Sequence, residues 1–244
     1  MSDLAQRIAD NLALVRARIA AAAGRSGRSA NEITLVAVTK YVAADVAQAV
    51  LAAGCRDLGE SRPQELWAKA DLLGPNSDTP AGGHSPLRWH LIGHLQRNKV
   101  RRTLPLVHLI QSVDSRRLLT ALNEEAALAG HPVSVLLEAN ISGDATKTGL
   151  PPAELEPIVA EAARWPHVAI RGLMGMASGS GGESAAKRDF SRLRTLREQL
   201  SRNLPPGVAL NELSMGMSGD YELAVEAGAT IVRVGSALFE GLPI

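Results

Sequence analysis

The stretch that decides the fold is residues 33–40, with the sequence ITLVAVTK. Apolar and β-branched residues follow one another there with little polar alternation, which is typical of a strand buried on both faces in a parallel sheet. Residues 42–51 then have helical periodicity, and Gly54 is placed to end that helix. A strand followed at once by a helix predicts the repeating unit of an α/β fold, with Lys40 at the carboxyl end of the strand.

Lys40 is the first candidate functional residue, because α/β folds place their chemistry at the carboxyl ends of strands. An ammonium group is costly to bury, and a desolvated lysine loses its proton readily, which favours its use as a Schiff-base nucleophile. The position alone equally allows a lysine whose stem packs on the protein while its charge reaches solvent or an ion pair.

The composition limits the class of protein. The 244 residues suffice for one α/β barrel, and 26 basic against 25 acidic residues give no sign of nucleic-acid binding. Cys55 is the only cysteine, which excludes an internal disulfide and favours a reducing compartment. The N-terminus lacks a signal-peptide pattern, and no stretch is apolar enough to span a membrane. We therefore expect a soluble cytoplasmic protein without nucleic-acid or membrane partners.

The same strand and helix alternation continues along the chain. An amphipathic helix is predicted over residues 3–23, since one face carries Leu4, Ile8, Leu12, Val15 and Ile19. Further strands are predicted over residues 55–60, 87–93, 107–113, 133–140, 168–174, 209–214 and 230–234. Eight such strands predict an α/β protein with a (β/α)8 TIM-type barrel and an extra N-terminal helix, as one domain over residues 1–244. A doubly wound open sheet is the competing topology.

Local signals predict where some elements begin and end. Ser61 and Gln64 have the spacing of a capping box, which predicts a helix beginning at Ser61. Asp114 or Ser115 is expected to cap a helix that ends at Gly130. Residues 74–86, rich in Gly, Pro, Ser and Asp, are predicted to form a surface loop.

Two Gly/Ser stretches are candidates for a phosphate site, because the loops after strands seven and eight of a (β/α)8 barrel commonly bind phosphate. Residues 214–220, SMGMSGD, follow the seventh strand, and residues 235–241, GSALFEG, follow the eighth. Glycine lets the backbone approach an anion, and serine adds a hydroxyl donor. Either stretch alone is also an ordinary turn, and Asp220 with Glu222 favours simple helix capping there.

Lys40, the two Gly/Ser stretches and Arg233 on the eighth strand together match the groups of pyridoxal 5'-phosphate (PLP). The lysine would form an imine with the aldehyde, and the stretches would hold the phosphate. Arg233 beside the ring nitrogen would keep that nitrogen unprotonated, which makes the ring a poorer electron sink than pairing with a carboxylate does.

Six ordered motifs resemble those of the pyridoxal phosphate homeostasis protein family, which is related to the N-terminal barrel of alanine racemase. They are VAVTK (36–40), GES (59–61), WHLIGHLQ with Asn98 and Lys99 (89–99), RGLM (171–174), LSMGMS (213–218) and VRVGS (232–236). The resemblance covers nearly the whole chain. It implies a PLP-binding barrel like the alanine racemase N-terminal domain, with Lys40 as the imine lysine.

The resemblance also assigns further residues to the cofactor. It implies Ser218, Gly235 and Ser236 as phosphate contacts, Arg233 as the partner of the ring nitrogen, and Ser214 as a further phosphate candidate. This chain has Ser61 and Arg62 where the family often has an asparagine and an aromatic residue.

His90 and Met174 complete the predicted set of cofactor-binding residues. His90 is a possible acid/base group near the end of the third strand, although a packed, hydrogen-bonded core histidine is the alternative. Met174 is expected at the rim of the site, as are Met176, Met215 and Met217. No His, Cys or carboxylate spacing indicates a metal site.

An alanine-racemase-like enzyme needs a second acid/base group opposite the lysine. The resemblance implies that a tyrosine of a C-terminal β-domain supplies it, and we expect no such domain because residue 244 follows closely on the eighth strand. Tyr41 is expected to point away from Lys40, as strand neighbours do. We therefore expect a monomeric, non-enzymatic protein that buffers PLP or delivers it to apo PLP-dependent enzymes. The alternatives are a small fold-type III PLP enzyme, such as an amino-acid racemase, and a barrel lyase using Lys40 on a phosphosugar.

Overall fold

Eight parallel strands close into a barrel in the order in which they occur in the chain. The structure, a computed structural model, describes residues 3–74, 87–143, 148–179, 181–205 and 208–242. The first strand pairs with both the second and the eighth, so that Val36 aligns with Asp57 on one side and with Arg233 on the other. The predicted (β/α)8 barrel is confirmed, and the open doubly wound sheet is wrong.

The strands begin and end within the predicted ranges. They are β1 (Thr34–Val38), β2 (Asp57–Glu60), β3 (Arg88–Leu91), β4 (Leu109–Val113), β5 (Val133–Glu138), β6 (Val168–Met174), β7 (Glu212–Ser214) and β8 (Ile231–Val234). Several are shorter than predicted at one end or at both ends. Inside the barrel an apolar cluster consists of Val36, Leu109, Leu136, Met174 and Ile231.

The helices surround this barrel. They are α1 (Asp3–Arg25), α2 (Ala44–Ala52), α3 (Pro63–Leu73), α4 (Val100–Thr103), α5 (Arg116–Ala129), α6 (Pro152–Ala160), α7 (Gly182–Leu200) and α8 (Tyr221–Glu226). A short 3₁₀ helix, Ser236–Leu238, follows β8. Within the residues that the structure describes, no helix has the length and apolar character needed to cross a membrane.

The N-terminal helix α1 closes the outer layer between the first and last elements of the barrel. It packs on α2 and α8 and buries Ile8, Leu12, Val15 and Ile19. The Asn11 side-chain amide donates to the carbonyl oxygens of Leu238 and Glu240, at 3.1 Å each. The predicted N-terminal helix is therefore confirmed, and it holds the segment that follows β8.

Two predicted helix starts have different outcomes. Ser115 caps α5 by accepting a hydrogen bond from the Leu118 amide, and Gly130 ends that helix in the left-handed conformation, as predicted. The capping box at Ser61 is wrong, because α3 begins at Pro63, whose fixed φ suits the first helical position. The loop predicted over residues 74–86 lies, apart from Gly74, outside the described residues.

Candidate functional site

A cavity of about 430 Å³ opens at the carboxyl ends of the strands, and we call it the carboxyl-end cavity. It is lined by residues at the ends of β1 and β8 and by the loops that follow β1, β2, β3, β6, β7 and β8. The predicted cofactor residues among them are Lys40, Ser218, Arg233, Gly235 and Ser236. The topology thus brings Lys40 to the same place as four residues that follow it much later in the sequence.

Lys40 lies in the turn between β1 and α2, two residues beyond the end of the strand. It is exposed, and its Nζ lies 4.7 Å from the centroid of the Tyr41 ring. The desolvation considered for Lys40 is therefore not found, and the expectation that Tyr41 points away from it is wrong. Side chains alternate between faces only within an extended strand, and both residues have already entered the turn.

A buried ion pair holds the residue before Lys40. The Thr39 hydroxyl donates to Glu60 Oε1, and the Thr39 carbonyl oxygen accepts from Lys69 Nζ, both at 2.6 Å. Lys69 Nζ also contacts Glu60 Oε1 at 2.6 Å, and both charged side chains are almost fully buried. Either charge would be costly to leave alone in the interior, so β2 and α3 fix the start of the Lys40 turn.

Arg233 reaches the cavity from inside the barrel and is 4% exposed. Its Nη1 donates to Ser214 Oγ at 2.5 Å, and its Nη2 donates to the carbonyl oxygen of Gly175 at 3.1 Å. No carboxylate among the described residues forms an ion pair with it. Burial lowers the pKa of Arg233 to about 10, against the opposing charges of Glu138 and Asp220. Arg233 is therefore still a cation at neutral pH, and it has more N–H groups than these two bonds use.

The loops after β7 and β8 meet at Ser218. Its Oγ accepts hydrogen bonds from the backbone N–H groups of Gly235, at 3.0 Å, and Ala237, at 3.5 Å. Because Ser218 is the acceptor in both bonds, its hydroxyl proton is left for a further acceptor. The loop after β7 passes close to α8 at Gly216, which has a φ of +90°. A Cβ at this position would lie 2.5 Å from the Ala224 Cβ, so the loop requires glycine there.

Three predicted cofactor residues lie elsewhere, in the barrel interior. Ser214, the last residue of β7, is fully buried and hydrogen-bonded to Arg233 and Gln111, so its hydroxyl does not reach the carboxyl-end cavity. His90 points to the other end of the barrel, where its Nε2 lies 2.9 Å from Asp57 Oδ1. Met174 is 1% exposed within the apolar cluster of the interior. None of the three lines the carboxyl-end cavity, and their contact with a cofactor stays a prediction.

Sequence reasoning did not assign several other lining residues to the cofactor. They are Val38, Ser61, Ile92 and Phe239. Met217, which was predicted only at the rim, also lines the cavity. Ser61 and Ile92 each follow directly on the last residue of a strand, and Met217 follows β7 by three residues. Position just after a strand end is the signal that would have found them. Met176, predicted at the rim, does line the cavity.

A second cavity of about 310 Å³ lies at the amino ends of the strands, and we call it the amino-end cavity. Charged side chains line it, among them Asp57, Arg88, Arg171 and Glu212. Arg88 Nη2 lies 2.7 Å from Asp57 Oδ2. Burial opposes ionisation of Asp57, but the hydrogen bond from His90, and then the hydrogen bond and charge of Arg88, hold the pKa of Asp57 below its ordinary value.

A family model and a curated protein each match nearly the whole chain. Residues 6–243 match the family model described as the alanine racemase N-terminal domain. The pyridoxal phosphate homeostasis protein of Pseudomonas aeruginosa is 38% identical over 233 residues, which are 95% of this chain and 94% of that protein.

Solved structures agree in fold. PipY of Synechococcus elongatus PCC7942, solved with PLP bound, superposes with a TM-score of 0.80 at 34% identity, over 95% of this chain and 99% of PipY. Alanine racemase of Clostridium difficile 630 superposes with a TM-score of 0.73 at 15% identity, over 96% of this chain and 58% of the racemase. The second likeness concerns the fold alone.

Proposed function

We propose a function from one premise: the chain belongs to the pyridoxal phosphate homeostasis protein family and has the barrel of the alanine racemase N-terminal domain. On that premise it binds PLP in the carboxyl-end cavity. The observation that carries the proposal is the convergence of Lys40, Arg233 and the two Gly/Ser loops on that one cavity.

The residues of the cavity fit the groups of PLP. The hydroxyl groups of Ser218 and Ser236 and the backbone around Gly235 provide neutral donors for a phosphate. Arg233 provides a donor for the ring nitrogen, and Ile92 is among the apolar residues available to the faces of the ring. The volume of about 430 Å³ lies within the range of small-molecule sites, roughly 300–1,000 Å³.

Lys40 is the residue that we propose for covalent attachment. When bound, PLP supplies an aldehyde, which condenses with a primary amine to form a C=N bond with release of water. Lys40 supplies the amine from a turn anchored through Thr39, and its exposure lets water and small amines reach Nζ. Arg233 donates to the ring nitrogen and remains cationic, so it does not hand that nitrogen a proton.

We propose further that the chain stores PLP or delivers it to apo PLP-dependent enzymes, without turning over a substrate. The names of the curated relatives support this. Among the described residues that line the cavity, the ionisable ones are Lys40, Tyr41 and Arg233. Racemisation needs two acid/base groups on opposite faces of the reacting carbon, and Tyr41 lies directly beside Lys40.

A small fold-type III PLP enzyme is the second candidate. The position of Tyr41 is the observation that favours it. Its ring lies 4.7 Å from Lys40 Nζ, and 80% of the residue is exposed at the mouth of the cavity. A phenol in that place is available to a bound amino acid as an acid or base, which makes Tyr41 the residue on which the enzymatic alternative depends.

The deciding experiment combines visible absorbance, borohydride reduction and peptide mapping of protein purified with PLP. We expect a yellow protein whose reduced adduct maps to Lys40, complete loss of the adduct in Lys40→Ala, and no change in Lys187→Ala, which alters an exposed lysine on α7. A protein that PLP does not colour, or an adduct that maps to another lysine, would refute the site.

Storage and turnover are then separated by assay of the loaded protein. We expect it to activate an apo PLP-dependent enzyme and to leave L- and D-alanine unchanged. Racemisation that is lost in Tyr41→Phe would establish the enzymatic alternative instead.

A further inference from the structure

We propose that a hydrogen-bonded chain through the barrel interior positions Arg233 at the carboxyl-end cavity. Its positioning residues are Gln111 and His90, which touch neither Lys40 nor that cavity. Arg233 Nη1 donates to Ser214 Oγ at 2.5 Å, and Ser214 Oγ donates to Gln111 Oε1 at 2.7 Å. Gln111 Nε2 lies 3.0 Å from His90 Nδ1, and His90 Nε2 lies 2.9 Å from Asp57 Oδ1. The role in cofactor binding rests on the proposed function.

The two ends of this chain, together with the orientation of the Gln111 amide, give the direction of each bond between them. A guanidinium only donates, and an ionised carboxylate only accepts. Ser214 accepts from Arg233 and, since the Gln111 amide presents its Oε1 to the hydroxyl, donates its single proton to Gln111. Gln111 then presents its oxygen to Ser214 and its N–H to His90.

His90 is consequently fixed in one tautomer. Its Nδ1 accepts from Gln111, so the proton of the neutral ring is on Nε2, where it is donated to Asp57. The pKa of Asp57 lies below its ordinary value, so this residue is an acceptor at neutral pH. Every donor in the chain thus points from the cofactor cavity towards the amino end of the barrel.

Burial makes it costly to break any hydrogen bond of this chain. Gln111 and Ser214 are fully buried, and His90 is 2% exposed. Water has little access to satisfy a group that loses its partner, and an unmatched buried donor is costly. A break at Gln111 therefore releases the Ser214 hydroxyl, on which one of the two described bonds of Arg233 depends.

A second proton on His90 would conflict with this order. Nδ1–H would then face the Gln111 N–H, and the amide would have to turn over, which would take the acceptor away from Ser214. The charged and titratable groups around His90 are Asp57, Arg88, His108, Arg171 and Glu212, which line the same amino-end cavity. The ring of His108 lies 5.8 Å from that of His90, between ring centroids.

Two variants of Gln111 separate positioning from mere packing. Gln111→Met fills the space but offers Ser214 no acceptor. Gln111→Glu offers carboxylate oxygens to Ser214 and to His90, provided that His90 takes up a second proton. His108→Gln is the matched control, because it changes a histidine of the amino-end cavity outside the chain.

We expect nitrogen-15 NMR of the protein without PLP at neutral pH to show His90 protonated on Nε2 alone. Gln111→Met should weaken PLP binding about tenfold and change the absorption spectrum of the bound cofactor. Gln111→Glu should restore both, with both nitrogens of His90 protonated, and His108→Gln should alter neither affinity nor spectrum.

Three results would each overturn the proposal. They are His90 protonated on Nδ1 in the wild-type protein, a folded Gln111→Met with wild-type affinity and spectrum, and a Gln111→Glu that binds no better than Gln111→Met. If Gln111→Met does not fold, the wild-type NMR and the comparison of Gln111→Glu with wild type still decide. A wild-type protein that binds no PLP would refute the proposed function, while the NMR measurement would judge the chain separately.

Discussion

The two ends of the barrel differ in whether their polar groups already have partners. At the amino end, Asp57 has both Arg88 and His90 as partners. At the carboxyl end, Arg233 is held by one hydroxyl and one carbonyl oxygen, and the Ser218 hydroxyl only accepts. The described groups of the carboxyl-end cavity therefore offer donors to an incoming acceptor, whereas opposite charges at the amino end neutralise each other.

The hydrogen-bonding groups of a cavity that still lack a partner therefore indicate its ligand better than the number of charged residues that line it. The comparison also shows that the two ends are physically connected, because the chain from Asp57 to Arg233 passes through the interior between them. Substitutions of the same kind at the two ends should accordingly have unequal effects on PLP binding.

The largest contrast is expected between serines at the two ends. The double substitution Ser218→Ala and Ser236→Ala should weaken PLP binding by about 3–6 kcal/mol, because each hydrogen bond to a charged group contributes about 1.5–3 kcal/mol. Ser134→Ala, which removes a hydroxyl from the amino-end cavity, is the control and should leave affinity unchanged. Titration by absorbance measures all three proteins, and equal affinities would place the phosphate elsewhere.

The Lys69→Met substitution should remove the buried ion pair with Glu60 that holds the start of the Lys40 turn. It leaves Glu60 buried without its cation, so the free energy of unfolding should fall by about 3–5 kcal/mol. Urea denaturation without PLP measures this, and Lys187→Met on the exposed face of α7 should change it by less than about 0.5 kcal/mol. A stable Lys69→Met variant would show that the Lys40 turn does not depend on the pair.

The Arg233→Met substitution should affect PLP binding much more than it affects folding. PLP affinity should fall by about 1.5–3 kcal/mol, since a charged donor is lost. The protein without PLP should lose little stability, because a buried cation without an ion-pair partner among the described residues is replaced by an apolar side chain of similar length. Titration and denaturation are measured on the same preparation, and unchanged affinity would remove Arg233 from the site.

The smallest effect concerns pH at the amino end. The folded-state pKa of Asp57 is lowered, so its contribution to stability is present above the ordinary Asp pKa of about 3.9 and is lost as pH falls through the folded value. The difference in the free energy of unfolding between wild type and Asp57→Asn should therefore be constant near neutral pH and shrink in acid. A difference that grows in acid would contradict the lowered pKa.

Much of this architecture could be predicted from sequence, because each strand and helix repeat carries its own local signal. The convergence of Lys40, Ser218 and Arg233 followed from topology, since parallel strands bring their carboxyl ends together. Their attachment to PLP stays a prediction until the adduct is mapped.

The sequence is least informative about side chains whose direction depends on where the pairing of a strand with its neighbours ends. Ser214, a further candidate for the phosphate, does not line the carboxyl-end cavity, because only the last part of the predicted seventh strand is paired and its final residue points into the barrel. Register shifts in the pairing of β4 with β5, between Ile110 and Val113, and of β5 with β6 interrupt the alternation that sequence patterns assume. Tyr41 was misplaced for a related reason, since the strand ends before it.

The position of α1 has a consequence for the order of folding. Its apolar face packs on α8 and on the segment after β8, which lie far from it in the sequence. The two hydrogen bonds of Asn11 join residues 227 and 229 positions apart. Contacts over such separations form slowly, because closing a long loop has a high entropic barrier. We therefore expect α1 to dock on α8 and on the segment after β8 in a late step of folding.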